Sequence, residues 1–400
     1  MNPKVLRQWM YYLLLFPYFK PAILGVMEGT DLLETIFDFW RLAAAGVVCV
    51  LYLLQMVKKK RRPSSVLIWL CVYLGFIALA TLLREDNLWS LINYVMTIVT
   101  FCMLVELSVR EDPRMTLDML VMPLTVLVLA NFVLLCIFPG GLCSGGTYNY
   151  KYNFLGIDNF LAPILVPYMF LTVLRSSMIH GKINWFAYGM VAVASLSLLL
   201  VWSATGLMGL AVALIFLLFF YERRFQTIFN FTASFGVGAA MFFSIVLFRL
   251  QNFFAFFIEG VLHKGLSFTG RTDIWDKAIQ LFLESPFLGY GIAQSGKVYR
   301  LSKNKYYHAH NVFLEILVEG GVFSLIAFLL MLAQAGKQLL IYRKHPYACL
   351  ISAALLSVAV MTTMEPFLDS NGLLIYAMVF LGYYVGNLIY EKDVPPAGAR

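Results

Sequence analysis

The stretch "KKKRRPSSVLIWLCVYLGFIALATLL", Lys58 to Leu83, decides the class of fold. Five cations end at Pro63, and no charged residue interrupts the run from Ser64 to Leu83. About 20 apolar residues at 1.5 Å per residue are what a helix needs to cross the hydrocarbon of a bilayer. A basic cluster beside such a run marks a cytoplasmic loop. The rest of the chain repeats the pattern: of 400 residues 61% are hydrophobic and 13% charged, against about 45–50% and about 25% in soluble domains. Lipid offers backbone polar groups no partner, so the spans must be helices. The sequence therefore specifies an all-α, polytopic membrane protein. Its net charge of +8 does not point to nucleic acid, because the basic residues sit in short clusters beside apolar segments.

Counting apolar runs, with Lys/Arg clusters placed inside, predicts twelve spans over three regions, 1–248, 249–310 and 311–390, followed by a Pro/Gly-rich disordered tail at 391–400. Span one runs from Trp9 to Met27 through "FPYFKP", where Pro17 and Pro21 each remove a helix hydrogen bond. Spans two to four cover Ile36–Val57, Ser64–Leu83 and Leu91–Val109; span five ends at "FPGG", and span six starts at Asn159. Spans seven and eight form a hairpin around "WSATG", Trp202 to Gly206, and span nine covers Thr227–Phe248. Residues 249–310 form one large extracytoplasmic loop, and Val312–Ala333, Tyr347–Met364 and Gly372–Tyr390 complete the bundle. Both termini then lie in the cytoplasm, and short outside loops hold only Arg84 and Lys151 as cations. The N-terminal segment has no small-residue cleavage site and reads as a retained span. Five of six cysteines lie in apolar runs and only Cys143 in an outside loop, so there is no disulfide framework and no CxxC metal spacing.

Within the large loop, "GRTDIWDKAIQLFLESPFLGYG" predicts one short amphipathic helix. Ile274, Trp275, Ala278 and Phe282 share a face, Asp273 and Lys277 can pair, and Pro286 ends the helix. Gly289 and Gly291 give a tight turn before the basic run "KVYRLSKNKYYHAH", and Asn311 caps span ten.

The ordered set Gly270-Arg271, Trp275, Ser285-Pro286, Gly289-Tyr290-Gly291, His310-Asn311, Phe313-Leu314 and Gly320-Gly321 resembles the signature of the O-antigen ligase and polymerase family. The match covers roughly residues 265 to 330. The resemblance implies metal-independent, inverting transfer of a glycan from undecaprenyl diphosphate to a sugar hydroxyl on the outer face of the cytoplasmic membrane, with no cofactor. Polymerisation of repeat units, as in capsule or exopolysaccharide synthesis, is preferred over ligation, since little in the chain points to a lipid-A-core or protein acceptor. Implied partners are the lipid-linked oligosaccharide, membrane lipid, a chain-length regulator and a flippase. One departure stands out: where many members carry an arginine in a Ser-x-Ser-Arg-Gly turn, this chain has Ser203-Ala204-Thr205-Gly206.

Such chemistry needs cations for the leaving diphosphate, an acceptor for the hydroxyl proton and a groove for sugars. Histidine titrates near neutral pH, which suits His310 to take the proton; its competing account is a helix-start residue bonded to backbone or headgroups. Arg271 opens the loop helix and is the favoured diphosphate cation, because its fork donates two parallel bonds; a structural salt bridge is the alternative. Arg41 and Arg84 are second choices that could also snorkel to headgroups. His308 would point the same way as His310 in an extended segment, although a metal held by both would need further ligands. Asn311 and Glu315 would line the site, Glu315 supporting His310 or binding sugar hydroxyls, or else serving the helix dipole together with Glu319. Trp275, Tyr290, Tyr299, Tyr306 and Tyr307 could stack on sugar rings or anchor the interface. From another class, a lipid-linked oligosaccharide flippase would also have about twelve spans, but it would carry cations along a central cavity between near-symmetric halves.

Overall fold

The computed structural model describes residues 3–84, 88–145, 150–219, 229–249, 271–292 and 308–390. The fold is helical. Short α1 (Pro3–Leu15) is followed by α2 (Asp31–Lys58), α3 (Ser65–Leu83), α4 (Leu88–Glu111) and α5 (Pro113–Ile137). A two-stranded antiparallel ribbon, β1 (Cys143–Gly145) and β2 (Tyr150–Tyr152), precedes α6 (Ala162–His180). Then come α7 (Trp185–Val201), α8 (Ala204–Leu218), α9 (Phe231–Met241), α10 (Arg271–Glu284), α11 (Val312–Ile341), α12 (Pro346–Thr362), α13 (Leu373–Tyr383) and α14 (Val385–Tyr390).

Six of these helices are long and apolar enough to cross a membrane, and five shorter apolar helical runs stand beside them among the described residues. The chain is thus a multi-pass membrane protein. Large apolar side chains such as Leu53, Val57 and Val126 face outward, an arrangement suited to hydrocarbon, where exposed leucine costs nothing. The expected first span is corrected: the helix stops at Leu15, and 3-10 turns at Phe16–Phe19 and Ala22–Gly25 replace the rest. Pro17 and Pro21 explain the stop, since neither can donate to the preceding turn. The other expected spans overlap observed helices, although the tenth runs on to Ile341 instead of ending at Ala333 and the expected start of the ninth, Thr227, lies outside the described residues; α9 begins at Phe231 because Asn230 accepts from the amides of Thr232 and Ala233. The large expected loop is described only in part, and neither Gly270 nor most of the basic run is among the described residues.

Helix α11 organises the bundle. It lies along α3, where Ser324 Oγ donates to the Tyr73 carbonyl at 3.1 Å and the Tyr73 and Phe328 rings meet at 5.4 Å. The helix is broken at Gly321, whose φ of 68° and ψ of −170° leave the carbonyls of Val318 and Glu319 without their helical donors. The turn after α10 supplies new ones. Tyr290 N donates to Val318 O and Gly291 N to Glu319 O, while Val322 N donates to Pro286 O, each at 2.8 Å. The Gly289-Tyr290-Gly291 and Gly320-Gly321 motifs are therefore two halves of one joint. Gly289 and Gly291 also have positive φ, and a Cβ on Gly321 would collide with the Phe287 backbone. Gly321→Ala is expected to lower stability by at least about 2 kcal/mol, combining left-handed strain with overpacking. A thermal unfolding midpoint equal to wild type would refute this account of the joint.

Candidate functional site

Five separate segments converge at one end of the bundle. Arg271 opens α10, His310 precedes α11, and Glu365 follows α12. Asn159 lies in the 3-10 turn Asp158–Leu161 before α6, and Ser203 caps α8. Glu365 joins them: Oε2 meets His310 Nδ1 at 2.8 Å, and Oε1 accepts from Arg271 at 2.5 Å and from Asn159 Nδ2 at 2.9 Å. Ser203 Oγ donates to Asn159 Oδ1 at 2.7 Å. The Glu365 side chain is only 6% exposed, whereas those of Arg271 and His310 retain 19% and 22%. A buried carboxylate thus holds two partly accessible cationic or proton-carrying groups side by side. His310 itself is held with φ at 50°, a left-handed value rare outside glycine, in a backbone fixed by the buried Ala309 and Asn311 on either side. Asn311 accepts from the amides of Phe313 and Leu314 and donates to the Thr363 carbonyl at 3.1 Å, which ties the start of α11 to the end of α12.

A second histidine–carboxylate pair adjoins the first. His308 Nδ1 lies 2.8 Å from Glu315 Oε1, and the Ala309 amide donates to Glu315 Oε2. Burial disfavours charge on His308, but the charge and hydrogen bond of Glu315 outweigh it and raise the imidazole to about 9. For Glu365, burial would raise the carboxyl, yet the His310 hydrogen bond and the charges of His310 and Arg271 hold it below its ordinary range. Burial pushes Asp369 the other way, upward, against the charge of His308. Because His308 is raised in the folded state, its contribution to stability is fully present below its ordinary pKa of 6.5 and is lost as pH climbs through about 9. The wild type should therefore melt above His308→Gln near neutral pH, and the gap should close above about 9. A gap that ignores pH would mean that the imidazole acts by shape alone.

The other expected site residues divide. Glu315 serves His308 and the Ala309 amide; it is Glu365 that holds His310. Arg84 stacks on the Tyr290 ring, 4.7 Å from its centroid, and reaches the Gly289 carbonyl at 3.5 Å. Arg41 binds Asp38 at 3.0 Å and Asn93 at 3.1 Å, in a group where Lys20 also pairs with Glu34 and Asp38. None of these partners belongs to the Glu365 cluster, so among the described residues Arg41 and Arg84 make their contacts elsewhere. Trp275 is buried completely, under the Arg249 guanidinium at 5.1 Å, and anchors α10 with Ile274, Ala278 and Leu281. The ring is enclosed in the core, where the sequence suggested an aromatic facing a sugar. Lys277 donates to Gln280 at 3.1 Å, in place of the expected pairing with Asp273. Tyr299, Tyr306 and Tyr307 lie outside the described residues. Among the described residues no group of three or more His, Cys, Asp and Glu is placed to hold a metal ion.

Glu365, Asn159 and Ser203 are the members that sequence reasoning missed. The only signal for Glu365 was two carboxylates, Glu365 and Asp369, in the short segment "MEPFLDSNG" between two apolar runs.

A multi-pass helical bundle with an imidazole, a guanidinium and a buried carboxylate gathered at one end has the parts to accept a proton beside an anionic group. Residues 189–329 match the family model described as O-antigen ligase, which bears out the family resemblance and indicates a membrane enzyme of ligase or polymerase type. No curated protein matches the chain. The matched segment contains Ser203, Arg271, His308 and His310; Asn159 and Glu365 lie outside it and complete the cluster from elsewhere in the chain.

Proposed function

We propose that the chain is a glycosyltransferase of the cytoplasmic membrane that moves a glycan from undecaprenyl diphosphate to a sugar hydroxyl at the extracytoplasmic face, joining polysaccharide repeat units. The observation that carries this reading is the convergence of His310 and Arg271 on one carboxylate. An ionised Glu365 accepts the Nδ1 proton of His310, which leaves Nε2 as the basic nitrogen for the acceptor hydroxyl. As the new bond to the anomeric carbon forms on the face opposite the diphosphate, the bond to the diphosphate oxygen breaks and the hydroxyl proton passes to Nε2. Arg271 uses one nitrogen on Glu365, and its remaining N–H donors face the charge that builds on the leaving phosphate. His308, held protonated by Glu315, adds a positive charge nearby.

The test is incubation of the purified protein with a defined undecaprenyl-diphosphate tetrasaccharide, read by mass spectrometry. Products of two and more repeat units, unaffected by a strong chelator, are expected. Recovery of unextended donor, together with passage of a fluorescent lipid donor across vesicles, would replace the enzyme with a transporter.

A further inference from the structure

The far end of the bundle holds a second polar site. Helix α11 leaves the His310 cluster and runs 30 residues to Ile341, roughly 45 Å at 1.5 Å per residue. There its last turn meets the end of α4, the end of α13 and one face of α14 around an open cavity of about 400 Å³. The wall is made by Arg110, Gln338, Tyr342, Tyr383, Asn387 and Tyr390. Arg110 is fixed from behind: one terminal nitrogen meets Glu106 Oε1 at 2.6 Å, and Nε donates to Tyr384 at 2.7 Å. Glu106 is fully buried and also accepts from the Ser64 amide and hydroxyl and from Tyr52. A guanidinium anchored through one edge keeps further N–H donors for an oxyanion without the entropy of a free side chain. The surrounding surface is cationic, with Arg114, Lys337, Arg343 and Lys344 all exposed. The nearby Glu111 is taken up by Arg7 and Lys59. Ile341, next in sequence to the lining residue Tyr342, is exposed and apolar, a surface that suits a lipid chain.

We propose that this cavity binds the phosphate-bearing headgroup of an anionic phospholipid, on the side that the charge bias assigns to the cytoplasm. Arg110 would take the phosphate, while the tyrosine hydroxyls and the Gln338 and Asn387 amides would meet the hydroxyls of a headgroup such as glycerol. Basic pockets between helices at a cytoplasmic surface commonly hold such lipids. The site is independent of the transfer chemistry at His310.

The experiment uses the full chain in phosphatidylcholine nanodiscs with and without phosphatidylglycerol, reading lipid adducts by native mass spectrometry and the thermal midpoint. Asn387→Leu and Gln338→Leu each replace a lining amide with an apolar side chain of similar size and leave the Arg110–Glu106 pair intact. Phosphatidylglycerol should be retained preferentially and raise the midpoint, and each variant should weaken retention about two- to tenfold, as expected for loss of one hydrogen bond to a neutral hydroxyl. Equal retention of the two lipids, or unchanged retention by both variants, overturns the proposal. A third arm adds inorganic phosphate and glycerol phosphate in detergent. A midpoint rise there matching that from the lipid, and lost in the variants, keeps the phosphate site but makes its source soluble.

Discussion

Replacing His310 with alanine should lower glycan transfer by about 10²- to 10⁴-fold, the usual range for loss of a positioned general base. Donor binding should survive, because Arg271 and Glu365 keep each other's charge compensated. The measurement is a single-turnover rate with donor saturating, beside a binding isotherm for undecaprenyl-diphosphate glycan. Product ladders of normal length from His310→Ala would remove this residue from the chemistry.

Glu365→Gln should have the next largest effect, and through two routes. It removes the negative charge that stabilises a protonated His310, an interaction of about 1.5–3 kcal/mol for a charge-assisted bond, or about 10- to 100-fold in rate. It also leaves Arg271 beside a neutral amide, and breaking one side of a buried pair is strongly destabilising. The two routes separate experimentally. If Glu365 orients the imidazole, the rate per folded molecule falls in the glutamine variant and Glu365→Asp restores part of it. If it only braces the fold, the thermal midpoint falls while the rate per folded molecule stays in place. Since Glu365 is depressed in the folded state, its contribution persists at and above its ordinary pKa and fades only as pH falls below that range.

The fold was legible where physics acts locally. Ser64 and Asn311 cap α3 and α11 because each places a short polar side chain just ahead of an apolar run, and the structure shows both accepting from the following turn. The buried face of α10 follows from the 3.6-residue spacing of Ile274, Trp275 and Ala278, although Leu281 rather than Phe282 completes it. Pro17 shows the limit: it was visible as an obstacle, but whether a proline bends a span or ends it depends on what packs around the freed carbonyls. Within the site, His310 and Arg271 were readable from motif order, whereas Glu365 was not. Its partners lie 55 and 94 positions away, and a carboxylate in a short turn carries no local mark of the residue it will meet. The same holds for Glu315, whose one-turn spacing from Asn311 suggests support of His310, contact with sugar hydroxyls or service to the helix dipole, while in the structure it pairs with His308 and the Ala309 amide. Trp275 belongs both to the apolar face of α10 and to the aromatics suited to stack on sugar rings, and packing places it in the core.

The joint between the α10 turn and the broken α11 has a mechanical corollary. Arg271 opens α10 and His310 lies just ahead of α11, and the turn after α10 is bonded backbone to backbone to α11 at Tyr290–Val318 and Gly291–Glu319, which couples the positions of the two residues. The spacing between His310 and Arg271 is then a property of the joined helices, insensitive to side-chain repacking at the surface. Lesions in the two glycine motifs should be mutually redundant: once one half of the stitch is undone, damaging the other adds little.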